Sequence, residues 1–351
     1  MADVPHYVAI KREIARQIRN KQLLPNDLLP GRWALTEKFG CSWATVNRAI
    51  QELILEGTLY ASKGKGTFVS TVPAGQDLRP GTISVLLCNA RDSVYYSVQA
   101  MMEGIRMAAG AEGYAVQFID LQDYNRFRDL DQWIVITPAL SDFPLLEEAL
   151  HRGDRFVVLG AELTFPEARW VNSDTREGTR RAVGHLLECG HRHILMFGVQ
   201  RNLSNYEQKV KGYVDALVEA GLPPDPDWIV YRPESQGEVA GVLANWLEGH
   251  PECTAIYAAD YTSGLAVLGW AIDNGVSIPE DLSLFVMGEV PSSPYLRVPL
   301  SSVVQPFTEM GQQAVRLLLT DEEAAFASLP CKLIYRNSVL PARSNPINQE
   351  K

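Results

Sequence analysis

The chain has 351 residues, 46% hydrophobic and 21% charged, enough apolar material for two or three folded domains and too much for a disordered chain. No apolar run reaches the roughly 18 residues of a membrane helix, residues 1–20 carry no signal-peptide pattern, and five scattered cysteines without CxxC spacing argue against a disulfide framework or a zinc site, so a reducing cytoplasm is expected. The net charge of −10 is uneven: residues 1–70 hold ten Lys/Arg against six Asp/Glu, a charge of +4 that leaves −14 on the rest, a distribution that suits nucleic-acid binding by a small basic module alone.

Tyr7, Ile10, Ile14 and Ile18 repeat at helical spacing, with Lys11, Arg12, Arg16 and Arg19 on other faces, and predict a first helix. Residues 20–30, with Pro25 and Pro30, read as a loop, and a short helix over 32–39 stops at Gly40. Ser42 is a plausible N-cap for a third helix over 43–56, whose apolar set is Val46, Ala49, Ile50, Leu53 and Ile54. Residues 58–61 and 67–69 are β-like runs around Lys63-Gly64-Lys65-Gly66, a hairpin signal.

Two helices meeting at a tight turn, followed by a basic hairpin, predict a winged helix-turn-helix. A major groove admits one helix while the preceding helix props it there. The face of the third helix opposite its apolar set presents Ala44, Thr45, Asn47, Arg48 and Gln51, side chains suited to base edges and phosphates. Ser42 can offer a hydroxyl to a phosphate, and Lys63 and Lys65 would put charge beside the DNA backbone or solvated on a turn. Trp33 and Trp43 read either as packed surface aromatics or as base contacts. The GxxxxGK[ST] spacing of a phosphate loop is absent.

Residues 71–81, with Pro73, Gly75, Pro80 and Gly81, read as a linker. From residue 82 short apolar strands (83–88, 115–119, 133–136, 156–159, 193–197, 228–231, 254–258 and 282–286) alternate with helical stretches. That alternation predicts α/β structure with two parallel, doubly wound sheets. The expected domains are 1–70, a linker 71–81, and 82–344.

Residues 5–70 resemble the GntR (gluconate-operon repressor) type of winged helix. The resemblance lies in Leu29-Pro30, Leu35, Phe39-Gly40, Ser42, Thr45-Val46, Ala49, Leu53, Glu56-Gly57 and Gly64-Lys65-Gly66-Thr67-Phe68-Val69. It implies DNA contacts at Ser42, Thr45, Arg48, Lys65 and Gly66. Trp33, Trp43 and Asn47 stand where that family has Arg; Arg32 and Arg48 sit next door, and Arg32, Asn47 and Lys63 complete the expected DNA-binding set.

Residues 82–341 resemble the LacI/GalR effector domain, whose fold is that of periplasmic sugar-binding proteins. Its motifs include Val171-Asn172-Ser173-Asp174, Gly190-His191-Arg192-His193-Ile194, Gly212-Tyr213, Ile278-Pro279-Glu280-Asp281-Leu282-Ser283, Gln305-Pro306-Phe307 and Tyr335-Arg336-Asn337-Ser338. The pairing with a GntR-type winged helix is that of arabinose-repressor-like regulators. The resemblance implies two lobes around a ligand cleft, with candidate contacts Asp174, Lys209, Asp260, Tyr261 and Glu289. Lys209 replaces the family's cleft Arg, Asp260-Tyr261 its Asn-Asp pair, and Glu289 keeps one of two carboxylates. Asp174 reads equally as a helix N-cap. Tyr95, Tyr96, Tyr206, Trp228 and Tyr261 are individually packing residues, with at least one expected in the cleft; His191 and His193 read as loop and strand residues, not metal ligands.

With no GxGxxG after a strand, no GxSxG and no HExxH, an enzyme is not expected, and no cofactor is called for. The leading expectation is a dimeric, ligand-responsive transcription repressor binding operator DNA, its effector a sugar or sugar derivative. The alternatives are a DNA-binding regulator with a degenerate cleft and, further off, a carbohydrate-binding transport protein.

Overall fold

In the computed structural model the described residues are all except 1–5, 20–21, 25–26, 56–57, 63–65, 70–80, 89–94, 121–131, 166, 202, 234–237, 321–325 and 343–351. The chain divides into two compact units, Met1–Gly81 and Thr82–Lys351. The expected wing lysines Lys63 and Lys65, and all of the expected linker but Gly81, lie outside the described residues.

The first unit is built from α1 (His6–Arg19), α2 (Arg32–Phe39), α3 (Trp43–Leu55) and the antiparallel pair β1 (Leu59–Ser62) and β2 (Gly66–Val69). The 3.6-residue period of α1 and α3 turns Ile10, Ile14 and Ile18 toward Val46, Ala49, Ile50 and Leu53, and Leu29, Leu35, Leu59 and Val69 close that core. Gly40 ends α2 with φ 60°, and its N–H reaches back to Thr36 O. Leu29 N–H donates to Thr67 O (2.8 Å) and Val69 N–H to Asp27 O (2.9 Å), tying the loop before α2 to the hairpin.

Among the described residues the second unit holds two six-stranded sheets. The N-terminal lobe comprises β3 (Thr82–Leu87), α4 (Tyr95–Ala111), β4 (Ala115–Asp120), β5 (Trp133–Ile136), α5 (Phe143–His151), β6 (Phe156–Leu159) and β7 (Trp170–Ser173). The chain then builds the C-terminal lobe with α6 (Thr175–Glu188), β8 (Ile194–Val199), α7 (Ser204–Glu219), β9 (Ile229–Tyr231), α8 (Val239–Gly249), β10 (Ala255–Ala258), α9 (Tyr261–Asp273), β11 (Ser283–Met287) and β12 (Ser301–Val304). It returns to the first lobe through α10 (Phe307–Leu319) and β13 (Phe326–Leu329), and ends in the second with β14 (Lys332–Ile334). The strand orders are β13-β7-β6-β5-β3-β4 and β14-β12-β11-β10-β8-β9, parallel throughout except for β12 with β14. Apolar clusters cover both faces of each sheet.

The lobes are therefore joined by adjacent crossings after β7, β12 and β13. These are cross-tied: Asp174 N–H donates to Leu329 O (2.8 Å) and Gln305 Nε2 to Ser173 Oγ (2.8 Å). Helix α10 lies on α4 at backbone contact. A Cβ at Gly311 would sit 2.2 Å from Met101 O, and one at Gly104 2.0 Å from Thr308 O. All eight predicted strands are present. The strands β7, β12, β13 and β14 were not predicted, because they carry Asn172, Ser173, Ser301, Ser302 and other non-apolar residues rather than apolar runs.

Candidate functional site

On the winged helix, Ser42 caps α3: its Oγ accepts Thr45 N–H (3.2 Å) and lies 2.8 Å from Thr45 Oγ1. Arg32 Nε donates to Asn47 Oδ1 (2.8 Å), latching the start of α2 onto the second turn of α3. Arg48 is turned along its helix: Nε donates to Glu52 Oε1 (3.0 Å) and the guanidinium lies 4.0 Å above the Tyr7 ring centre. Glu52 also accepts Lys11 Nζ (2.9 Å), and these two cations hold its carboxyl below the usual range, Lys11 first. Gly66 opens β2 at φ 124°, where a Cβ would strike Leu28 Cδ1. Trp33 and Trp43 are exposed at 74% and 44%. The result is a solvent-facing surface of Arg32, Ser42, Thr45, Asn47, Arg48 and two indoles over a closed apolar core.

Between the lobes of the second unit lies a cavity of about 180 Å³. The N-terminal lobe and α10 give it mainly apolar walls, with Met101, Ala139, Phe307 and Met310. The crossings contribute Asn172 and Gln305, and the C-terminal lobe supplies Gln200, Asn205, Tyr206, Lys209, Asp260 and Glu289. Its polarity is thus one-sided.

Asp260 organises that side. It caps α9, with Oδ1 accepting Ser263 N–H (2.7 Å), while Oδ2 accepts the Tyr206 hydroxyl (2.8 Å) and faces Arg232 Nη1 at 3.8 Å. Burial, then the Asp260 charge, holds the Tyr206 phenol well above its ordinary value. Lys209 is 3% exposed; its Nζ donates to Ala259 O (2.9 Å) and lies 3.8 Å over the Tyr206 ring. Burial pulls its ammonium down to about 8, against the pull of Asp260. Glu289 reaches the cavity wall already paired. Arg336 Nη2 donates to Oε1 (2.8 Å) and Nη1 to Oε2 (3.0 Å), and the Ser302 hydroxyl donates to Oε2.

Lys209, Asp260, Tyr261 and Glu289 thus meet at the cavity, as do Tyr96 and Tyr206 of the aromatic candidates. Asp174 is not among the described lining residues. It is the N-cap of α6, its carboxylate accepting Glu177 N–H (2.9 Å), at the crossing between lobes. Trp228 packs with Trp246 and His193, and His191 is buried between Thr254 Oγ1 and Leu340 O. Sequence reasoning gave no role to Asn205, Gln305 or Arg336. Asn205 Oδ1 is buried and has no hydrogen-bond partner among the described residues. No helix is long and apolar enough to cross a membrane among the described residues.

The family of gntR bacterial regulatory proteins matches residues 6–69, and a periplasmic binding protein-like domain matches residues 183–339. The chain is 24% identical over 358 residues to the arabinose metabolism transcriptional repressor of Geobacillus stearothermophilus, covering 97% of this chain and 98% of that one. It is 27% identical to the HTH-type transcriptional regulator CelR of Thermobifida fusca, over 58% of this chain and 60% of that one. Its fold is shared with a CelR–cellobiose complex (TM-score 0.68, 22% identity, 84% of this chain and 90% of that one). It is shared too with a LacI family regulator from Enterococcus faecium with bound ribose (TM-score 0.64, 24% identity, 75% and 100%).

Fold and likeness together make this chain a transcription regulator, a class without enzymatic activity. It joins a winged helix similar to that of the gntR bacterial regulatory proteins to a periplasmic-binding-protein-like domain.

Proposed function

We propose that this regulator is a cytoplasmic repressor that binds a palindromic operator as a homodimer and is controlled by a sugar or sugar derivative in the cleft. Residues 1–70 carry DNA binding, through Arg32, Ser42, Thr45, Asn47, Arg48 and Gly66 with Lys63 and Lys65 of the wing. Residues 82–344 carry effector binding and dimerisation. A single winged helix contacts few bases, and two-fold pairing doubles the contacts and matches operator symmetry.

The observation that carries the effector reading is the cavity itself: about 180 Å³, lined on one side by carboxylates, amides and phenols, with Asn205 Oδ1 buried and unmatched. An unmatched buried acceptor is costly, and a ligand hydroxyl would satisfy it. Asp260, Lys209, Tyr261 and Glu289 are the proposed contacts, with apolar walls opposite for the C–H face of a sugar ring. A CelR relative is solved with cellobiose and a LacI family neighbour with ribose, which supports the same ligand class here. The ligand acts by binding the closed cleft more tightly than the open one, changing the angle of the lobes and, in a dimer, the spacing of the recognition helices.

The inward pairing of Glu289 with Arg336 favours a second reading, a regulator whose cleft takes no effector. A thermal-shift screen of the full chain against neutral sugars and sugar phosphates separates the two, since a ligand of the native state raises apparent stability. A stabilising sugar whose effect is lost in Asp260→Asn supports the proposal; none across the screen supports the second reading. Light scattering should give a dimer at micromolar concentration, and a monomer that stays single on DNA would contradict the assembly.

A further inference from the structure

We infer that Trp43 reads a thymine in the major groove, by its 5-methyl group, and so sets the operator specificity of this regulator. The inference rests on the proposal that residues 1–70 bind duplex DNA. Trp43 is the first residue of α3, directly after the cap Ser42. The opening residues of a recognition helix are those that reach base edges. The buried set of α3, from Val46 to Leu53, anchors the helix to its own unit; Trp43 stands at the edge of that set, on the side of Asn47, and its chain neighbours Ser42 and Ala44 are exposed.

The indole is 44% exposed, and no ring contact or hydrogen bond holds its side chain among the described residues. Covering that apolar surface with a partner would remove it from water, at a gain proportional to the area buried. Among the four bases thymine alone offers a methyl group in the major groove, and its O4 acceptor lies beside it. An indole supplies the matching pair: an apolar ring and one N–H donor with no acceptor. The neighbouring amide is less free to read a base, because Asn47 Oδ1 already accepts from Arg32 Nε (2.8 Å). Trp33 is more exposed still, at 74%, but it sits on α2, the helix that crosses the backbone rather than entering the groove. It is the internal control.

The test uses the full chain and a duplex that it selects from a random library. Each thymine of the selected site is replaced singly by deoxyuridine, which lacks only the methyl, and affinity is read by fluorescence anisotropy. One thymine per half-site should show about fourfold weaker binding as deoxyuridine, the value of one buried methyl-sized group. Trp43→Ala should bind more weakly and lose that difference, while Trp33→Ala should keep it. Trp43→Phe, which retains an apolar ring, should keep part of it and guards against an unfolded Ala variant; circular dichroism and melting check both. The inference is overturned if no thymine is sensitive in the wild type, if sensitivity persists in both Trp43 variants, or if it is lost with Trp33 instead. A chain that selects no sequence at all overturns the DNA-binding reading, and this inference with it.

Discussion

The winged helix and the cleft domain put their polar side chains to opposite uses. On the winged helix they lie outside a finished apolar core: Arg48 and Glu52 pair across one turn of helix, in water. In the cleft domain they lie inside: Lys209, Tyr206 and Asn172 are 3%, 4% and 1% exposed, and each group's partner is a partly buried side chain or the backbone. Exposed pairs are screened and replaceable singly. Buried sets must satisfy one another, and removing one member strands the rest. An exposed face of the first kind can change residue by residue, whereas a cleft of the second kind changes as a set.

That contrast breaks most visibly at backbone contacts. Gly311→Val in α10, whose Cβ would sit 2.2 Å from Met101 O, should cost about 3 kcal/mol or more in urea unfolding of the second unit, or prevent its folding. Trp33→Ala should stay within about 0.5 kcal/mol of wild type.

Next comes the buried ammonium. Lys209 is held at about 8 when folded, against an ordinary 10.5. Between those values the unfolded chain binds more protons, so stability rises with pH, and the full cost of about 3 kcal/mol is present below pH 8. The stability of wild type relative to Lys209→Met should therefore climb by about that amount from pH 7.5 to 10.5. A flat difference would mean that the lysine is not buried as described.

On the exposed side, Arg48→Ala should leave melting almost unchanged yet weaken operator binding roughly tenfold to hundredfold, and flatten its salt dependence. Wild-type binding by that variant would remove Arg48 from the DNA face. A modest effect is expected at the crossing between lobes: Asp174→Ala loses an N-cap, at about 1 kcal/mol. Effector-induced stabilisation should survive it; loss of that stabilisation would return Asp174 to the ligand contacts.

The same contrast governs what could be read from the sequence. The helices of the first unit are local: the period of Val46, Ala49, Ile50 and Leu53, the stop at Gly40 and the cap at Ser42 are all written within fifteen residues or so. Apolar runs likewise announce strands such as β5 and β6. The strands β7 and β12 stay silent, because Asn172, Ser173, Ser301 and Ser302 are buried only by virtue of distant partners; Ser301 N–H, for one, donates to Ser338 Oγ. At Asp174 the local signal was sound, since Glu177 three positions on marks a helix start, and that is the role it has. The cleft was legible only through resemblance. Nothing near Glu289 in sequence announces Arg336, 47 residues away, or the unmatched amide of Asn205.

The most direct test of a ligand-controlled DNA switch is operator affinity measured with and without a sugar that stabilises the full chain. That sugar should shift the affinity at least fivefold, and Asp260→Asn should abolish the shift while still binding operator. A sugar that raises the melting temperature yet leaves operator affinity untouched would contradict the coupling of cleft to winged helix.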